Sequence, residues 1–153
     1  MQTLALPPIN PYLFIGGMLS FMAAFLHILC IIGGPNYLRF FGAGEGFARF
    51  AETGSWIPGV ETLIIGIVLI IWGVYAVTGA ATPNGAGVPL ALPFLKWILV
   101  AITAVYLVRG LVFVPVLLLV GGNISPFAIW SSAICLGLGI VHVIGMYQIW
   151  GRL

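Results

Sequence analysis

Four side chains able to hold a charge or pass a proton lie inside the apolar stretches of this chain: His27, Glu61, Arg109 and His142. Glu61 is the sole charge between Gly59 and Ala81, a run long enough to cross a bilayer. A carboxylate at that depth is costly, so it is expected to face protein or water and to have a partner. Arg109 is the one strongly basic group deep in any apolar run, which makes it the expected partner, with His27 beside the pair. Two chemistries suit such a cluster. It can receive the polar head of a lipophilic molecule in an otherwise apolar pocket, or it can move protons between Glu61 and His27. A purely structural ion pair that sets helix order fits the same residues.

Sharper chemistries fail on spacing. Bis-histidine haem needs two imidazoles at one height, and His27 and His142 are expected about 16 Å apart along the membrane normal. His27 and Glu61, even with Glu45 or Glu52, fall short of the closed ligand set that zinc takes, so no metal site is expected. No nucleophile elbow, Cys-x-x-Cys, phosphate loop or dinucleotide fingerprint occurs, so the residues leave open whether the chain is an enzyme. A net charge of +2 is too small to imply nucleic acid. Cys30 and Cys135 fall at different expected depths, which disfavours a disulfide; both read as small packing side chains.

The elements that must position these groups follow from the solvent. With 62% hydrophobic and 5% charged residues, the chain cannot cover its apolar surface as a soluble domain would, so an integral membrane protein is expected. The charge-free runs from Thr62 to Leu95 and from Gly110 to Gly151 exceed one span, so each contains a turn. Four helices result, Pro11 to Ile32, Pro58 to Ala80, Pro93 to Leu119 and Pro126 to Trp150, each introduced by a proline that a first turn tolerates. The fold class is all-α: an up-down four-helix bundle, one domain over residues 1–153, with the first helix retained as a span. Both termini then share one side. The positive-charge count favours that side as cytoplasmic, with Lys96, Arg152 and the amino terminus against Arg39 and Arg49, the latter two offset by Glu45 and Glu52.

Small residues mark the inward faces. Gly16, Ser20 and Ala24 lead to His27 on the first helix, and Ser132, Cys135 and Gly139 lead to His142 on the fourth. Gly59, Gly66 and Gly73 form a seam on the second helix, and Tyr106 shares a face of the third with Ile102 and Arg109. Pro115 is expected to kink that helix. Counted from the far side, His27 lies about 8 Å deep, Glu61 about 5 Å and Arg109 about 15 Å, close enough for one cluster.

The far-side loop, Gly33 to Ile57, is too long for a bare turn. Within it Glu45, Arg49 and Glu52 alternate at helical spacing while Phe47, Phe50 and Ala51 take the other side, so 44 to 53 reads as a short amphipathic helix at the interface. Tyr37, Phe40, Phe41 and Trp56 supply an aromatic belt. As a lid, this segment adds Phe47, Phe50 and Trp56 to His27, Glu61, Tyr106 and Arg109 as ligand-binding candidates; an interfacial anchor without a ligand is the plain alternative. The loop from Gly79 to Leu92 reads as a simple connection.

The stretch Phe47-Ala48-Arg49-Phe50-Ala51-Glu52-Thr53-Gly54-Ser55-Trp56-Ile57-Pro58, followed by Glu61 and an apolar run to Gly73, resembles the DoxX-like small bacterial membrane proteins. The arginine expected early in the first helix is absent, and His27 or Arg39 stands in for the lysine at its end. The resemblance implies four spans in a bacterial plasma membrane and a role as partner of quinone-linked or redox systems, or as accessory protein. Three functions are carried forward. The chain binds a quinone, sterol or lipid under the aromatic loop, or it is a proton-coupled transporter or channel subunit, with a homodimer expected, or it is a structural subunit of a larger membrane complex. Quinone is the one cofactor candidate.

Overall fold

The first helix, α1 (Pro11–Phe40), begins where two helix-start preferences coincide. Pro11 occupies a first-turn position that needs no N–H, and the Asn10 side chain accepts a hydrogen bond from the Leu13 amide at 3.0 Å. A computed structural model describes residues 9–81, 92–122, 124 and 126–153. Among the described residues every regular element is helical: α1 is followed by α2 (Glu45–Glu52), α3 (Ile57–Ala81), α4 (Leu95–Leu111), α5 (Phe113–Leu119) and α6 (Pro126–Ile149). Helices α1, α3 and α6 are long and apolar enough to cross a membrane, and α4 with α5, bent by 43°, makes a fourth such unit if the pair counts as one span. That is the make-up of a membrane protein.

Two breaks have local causes. Inside α1, Gly34 adopts φ 58°, ψ −145°, a conformation open in practice to glycine alone, and Pro35 restarts the helix beyond it. The expected end at Ile32 is therefore corrected: α1 kinks there and continues to Phe40, which shortens the irregular part of the 33–57 loop to the stretches around α2. The α4–α5 bend falls at Val112 because Pro115, three residues on, cannot donate to the Leu111 carbonyl and its ring crowds that group.

Packing is densest between α1 and α3 and between α4 and α6, with α1 on α6 and α3 on α4 joining the two pairs. Leu13, Ala24, Leu69, Ala76, Leu99, Ile102, Tyr106, Leu138 and Met146 form one core across these helices. Lipid tails are as apolar as leucine, so close backbone approach must supply the association. The glycines do so. A β-carbon on Gly110 would stand 2.6 Å from the Leu136 amide nitrogen, and one on Gly17 3.0 Å from the Gly73 carbonyl. Of the seam expected on α3, Gly66 and Gly73 are buried against α1, whereas Gly59 meets open space. Large apolar side chains, among them Phe14, Met22, Phe25, Ile64 and Ile71, cover the outer faces.

At one end of the molecule the Asn10 amide donates to the Ala80 carbonyl at 2.8 Å, and its side chain donates to Gln148 Oε1 at 2.9 Å. Lys96 Nζ donates to the Trp150 carbonyl at 3.2 Å and sits 4.0 Å from that indole's ring centre. The start of α1, the end of α3, the start of α4 and the end of α6 thus meet there. At the other end α2 packs on α1 and α3 over a second, smaller core of Cys30, Leu38 and Ala48, flanked by Phe41, Phe47 and Ala51. Most of the connection read from Gly79 to Leu92, and most of the N-terminal lead-in, lies outside the described residues.

Candidate functional site

The expected pairing of Glu61 with Arg109 is not formed. Arg109, carried on the last turn of α4 just before the bend, donates through Nη1 to Ser132 Oγ at 2.9 Å and through Nη2 to Ser131 Oγ at 3.0 Å, both on α6. Its guanidinium carbon lies 3.7 Å from the centre of the Phe113 ring, which the bend brings underneath. Two hydroxyl dipoles and an aromatic face therefore stand where a carboxylate was expected. Glu61 is exposed on α3 and makes no ion pair within the chain among the described residues. His27 stays on the α1–α3 side, half-buried, with Nδ1 2.7 Å from the Ala23 carbonyl. One convergent mouth made of His27, Glu61 and Arg109 is thereby corrected: His27 and Arg109 have separate partners, and Glu61 pairs with neither among the described residues.

Tyr106 belongs to a different group, in the core. Ser20 Oγ donates to the Gly16 carbonyl at 2.9 Å, so the Tyr106 hydroxyl, also 2.9 Å away, donates to Ser20 Oγ. Its ring packs edge-on against Trp72 and lies 5.4 Å from the His142 imidazole. His142 is fully buried, and its Nδ1 meets the Leu138 carbonyl at 2.8 Å, leaving Nε2 as an acceptor without a donor among the described residues. The imidazole fits because residue 16 has no side chain: a β-carbon there would stand 2.6 Å from His142 Cε1.

A cavity of about 200 Å³ opens where the α1 kink, α2 and the start of α3 meet. Ile31, Gly34, Pro35, Leu38, Ala51, Pro58 and Gly59 line it with apolar side chains or bare backbone, and Cys30, Ser55 and Thr62 add short polar side chains. Thr62 spends its hydroxyl hydrogen on the Pro58 carbonyl at 2.7 Å. Ser55 Oγ accepts from the Ile57 amide, and its own hydrogen has no acceptor among the described residues. Trp56, 72% exposed, lines the opening. Of the expected aromatic lid only Trp56 borders this cavity; Phe47 packs into the small core beside Ala48, and Phe50 points outward.

Over the outer side of α2 runs an ion network. Arg39 donates to Glu45 at 2.9 and 3.1 Å and to Glu52, and Arg49 donates to Glu45 at 2.9 Å. The Arg39 guanidinium, with Arg49 second, pulls the Glu45 carboxyl down to about 2, and Arg39 likewise lowers Glu52. This network ties the end of α1 to both ends of α2.

No protein-family model, curated protein or solved structure matches the chain. The side chains themselves must carry the functional assignment. Sequence reasoning passed over Ser131 and Ser132 as partners for Arg109, although two adjacent hydroxyls five and six residues into an apolar helix were a visible signal. It also passed over Ser55, which nothing but its place beside the α1 kink distinguishes.

Proposed function

We propose that this chain is an integral membrane accessory protein, an up-down four-helix bundle with α2 at the interface, that holds the head of a lipophilic molecule in the cavity beneath α2. The observation that carries the reading is the cavity wall: predominantly apolar with a polar share, without a charged residue, and furnished with the Ser55 hydroxyl, whose hydrogen has no acceptor among the described residues. A charged phospholipid head has nothing to pair with there, whereas a neutral ring with a carbonyl oxygen is matched in both polarity and donor. A volume of about 200 Å³ takes a single ring and leaves the tail to run out past Trp56. Among quinone, sterol and lipid, a quinone meets these terms best. The resemblance of residues 47–73 to DoxX-like proteins, with its link to redox systems, points to the same ligand class and to a bacterial plasma membrane, and the positive-charge count points to cytoplasmic termini. Glu61 lies off this cavity and has no acid or imidazole partner among the described residues, so proton coupling finds little support there.

The test is to purify the protein in mild detergent, extract it and identify bound lipophiles by mass spectrometry. A quinone near one per chain is expected, with Ser55→Ala lowering its retention and Gly59→Leu, which projects into the cavity, abolishing it while thermal stability holds. Wild-type protein free of any quinone, or undiminished retention in Gly59→Leu, would overturn the proposal.

A further inference from the structure

Glu61 and Arg109 are opposite charges inside apolar helices, and neither meets its counter-charge among the described residues. The helices that carry them touch through one aromatic contact. Glu61 heads a helical line through Ile65, Val68 and Trp72, and Trp72 meets the Tyr106 ring; Arg109 is one turn beyond Tyr106. Past that aromatic contact α3 keeps to α1 and α2 while α5 packs on α4 and α6, so Ile65, Val105, Val108 and Val112 stay exposed between them. A groove of about 470 Å³ runs along α4 and α5 across the bend, its wall almost entirely apolar apart from Arg109.

We infer that this flank is the interface of a homodimer in which Glu61 of each copy pairs with Arg109 of the other. Two copies inserted with the same orientation are related by an axis along the membrane normal, and that operation leaves depth unchanged. Only groups at matching depth can therefore exchange partners. Glu61 is four residues into α3, and the Arg109 guanidinium sits on serines five and six residues into α6; at 1.5 Å per residue these are about 6 Å and about 8 to 9 Å from the same end. The long arginine side chain spans the difference. An exposed acid on α3 and, on α4, a cation held by two hydroxyls and an aromatic face without a carboxylate among the described residues make the patch self-complementary, and the groove accepts apolar side chains from the neighbouring α3.

The interface is tested with two charge variants, Glu61→Arg and Arg109→Glu, carrying different tags. Alone, each places like charges opposite one another, so the dimer fraction in native mass spectrometry should drop by about tenfold or more from wild type. Co-expressed, one variant's two arginines meet the other's two glutamates, and a heterodimer should return even if either variant accumulates poorly by itself. That rescue cannot arise from a pair within one chain. The inference is overturned by a monomeric wild type, by homodimers persisting in both variants, or by variants that lose only a co-purifying phospholipid with their oligomeric state unchanged.

Discussion

A β-carbon on Gly110 would press on the backbone of Leu136, whereas one on Gly46 of α2 would touch nothing within 4 Å. Those two positions stand for two regions built differently. Where α4 crosses α6 and α1 crosses α3, backbones approach over glycine, and the few polar groups are buried with assigned partners or, like His142 Nε2, with none. At the α2 end the helix is short, its charges are exposed and three of its four ion-network members belong to it. In the first region a single atom is expected to matter. In the second, contacts are redundant and wet, so single changes should be absorbed locally, which is the property a cavity cover that must admit a ligand requires.

The largest expected effect breaks the first region. Gly110→Ala forces α4 away from backbone atoms that cannot rotate aside, a cost of about 3 kcal/mol on the scale of overpacked cores. Gly46→Ala should instead stabilise α2 by up to about 1 kcal/mol, because alanine is the better helix former and meets no neighbour. Reversible unfolding in mixed micelles measures both. Equal responses would erase the distinction between the regions.

A smaller change sharpens it. Tyr106→Phe deletes the hydroxyl that donates to Ser20 yet leaves Ser20 bonded to the Gly16 carbonyl, so no buried donor is stranded and the loss should be about 1 kcal/mol. Arg39→Gln removes three charge-assisted bonds, more than Tyr106 makes, and should still leave global unfolding unaltered because the network is exposed. A larger global loss from Arg39→Gln than from Tyr106→Phe would show that the α2 end carries the fold.

How much of this could be read in the residues differs between the same two regions. The stripe of Gly16, Ser20 and Ala24 is buried as its spacing implied, because close packing in an apolar medium demands small side chains at helical intervals and little else. The bend before Pro115 likewise has a local covalent cause. The α1 end was misread since Gly33-Gly34-Pro35 looks like a stop; whether a helix halts or kinks there depends on Leu38 finding Cys30 and Ala48, a tertiary contact. Glu61 and Arg109 were joined by charge logic alone, and that logic does not say that two serines and an aromatic ring can hold a guanidinium.

The smallest effect is a pH response confined to the α2 end. Arg39 and Arg49 hold Glu45 at about 2, below its ordinary value of 4.5. A carboxyl lowered by folding contributes stability that is complete above the unfolded value and fades as pH falls toward the folded one. The contribution of Glu45, and in the same direction that of Glu52, should therefore be intact above about pH 5 and shrink from there toward pH 2. Amide exchange, normalised for its intrinsic pH dependence, should show protection of residues 45–52 declining across that window, while α4 and α6, which carry no carboxylate, hold theirs. Arg39→Gln should flatten the decline, since the depressed carboxyl depends first on that guanidinium. Protection that is lost in step in α2 and α6 would mean the two regions open as one unit, and the α2 segment could not then act as an independently moving cover.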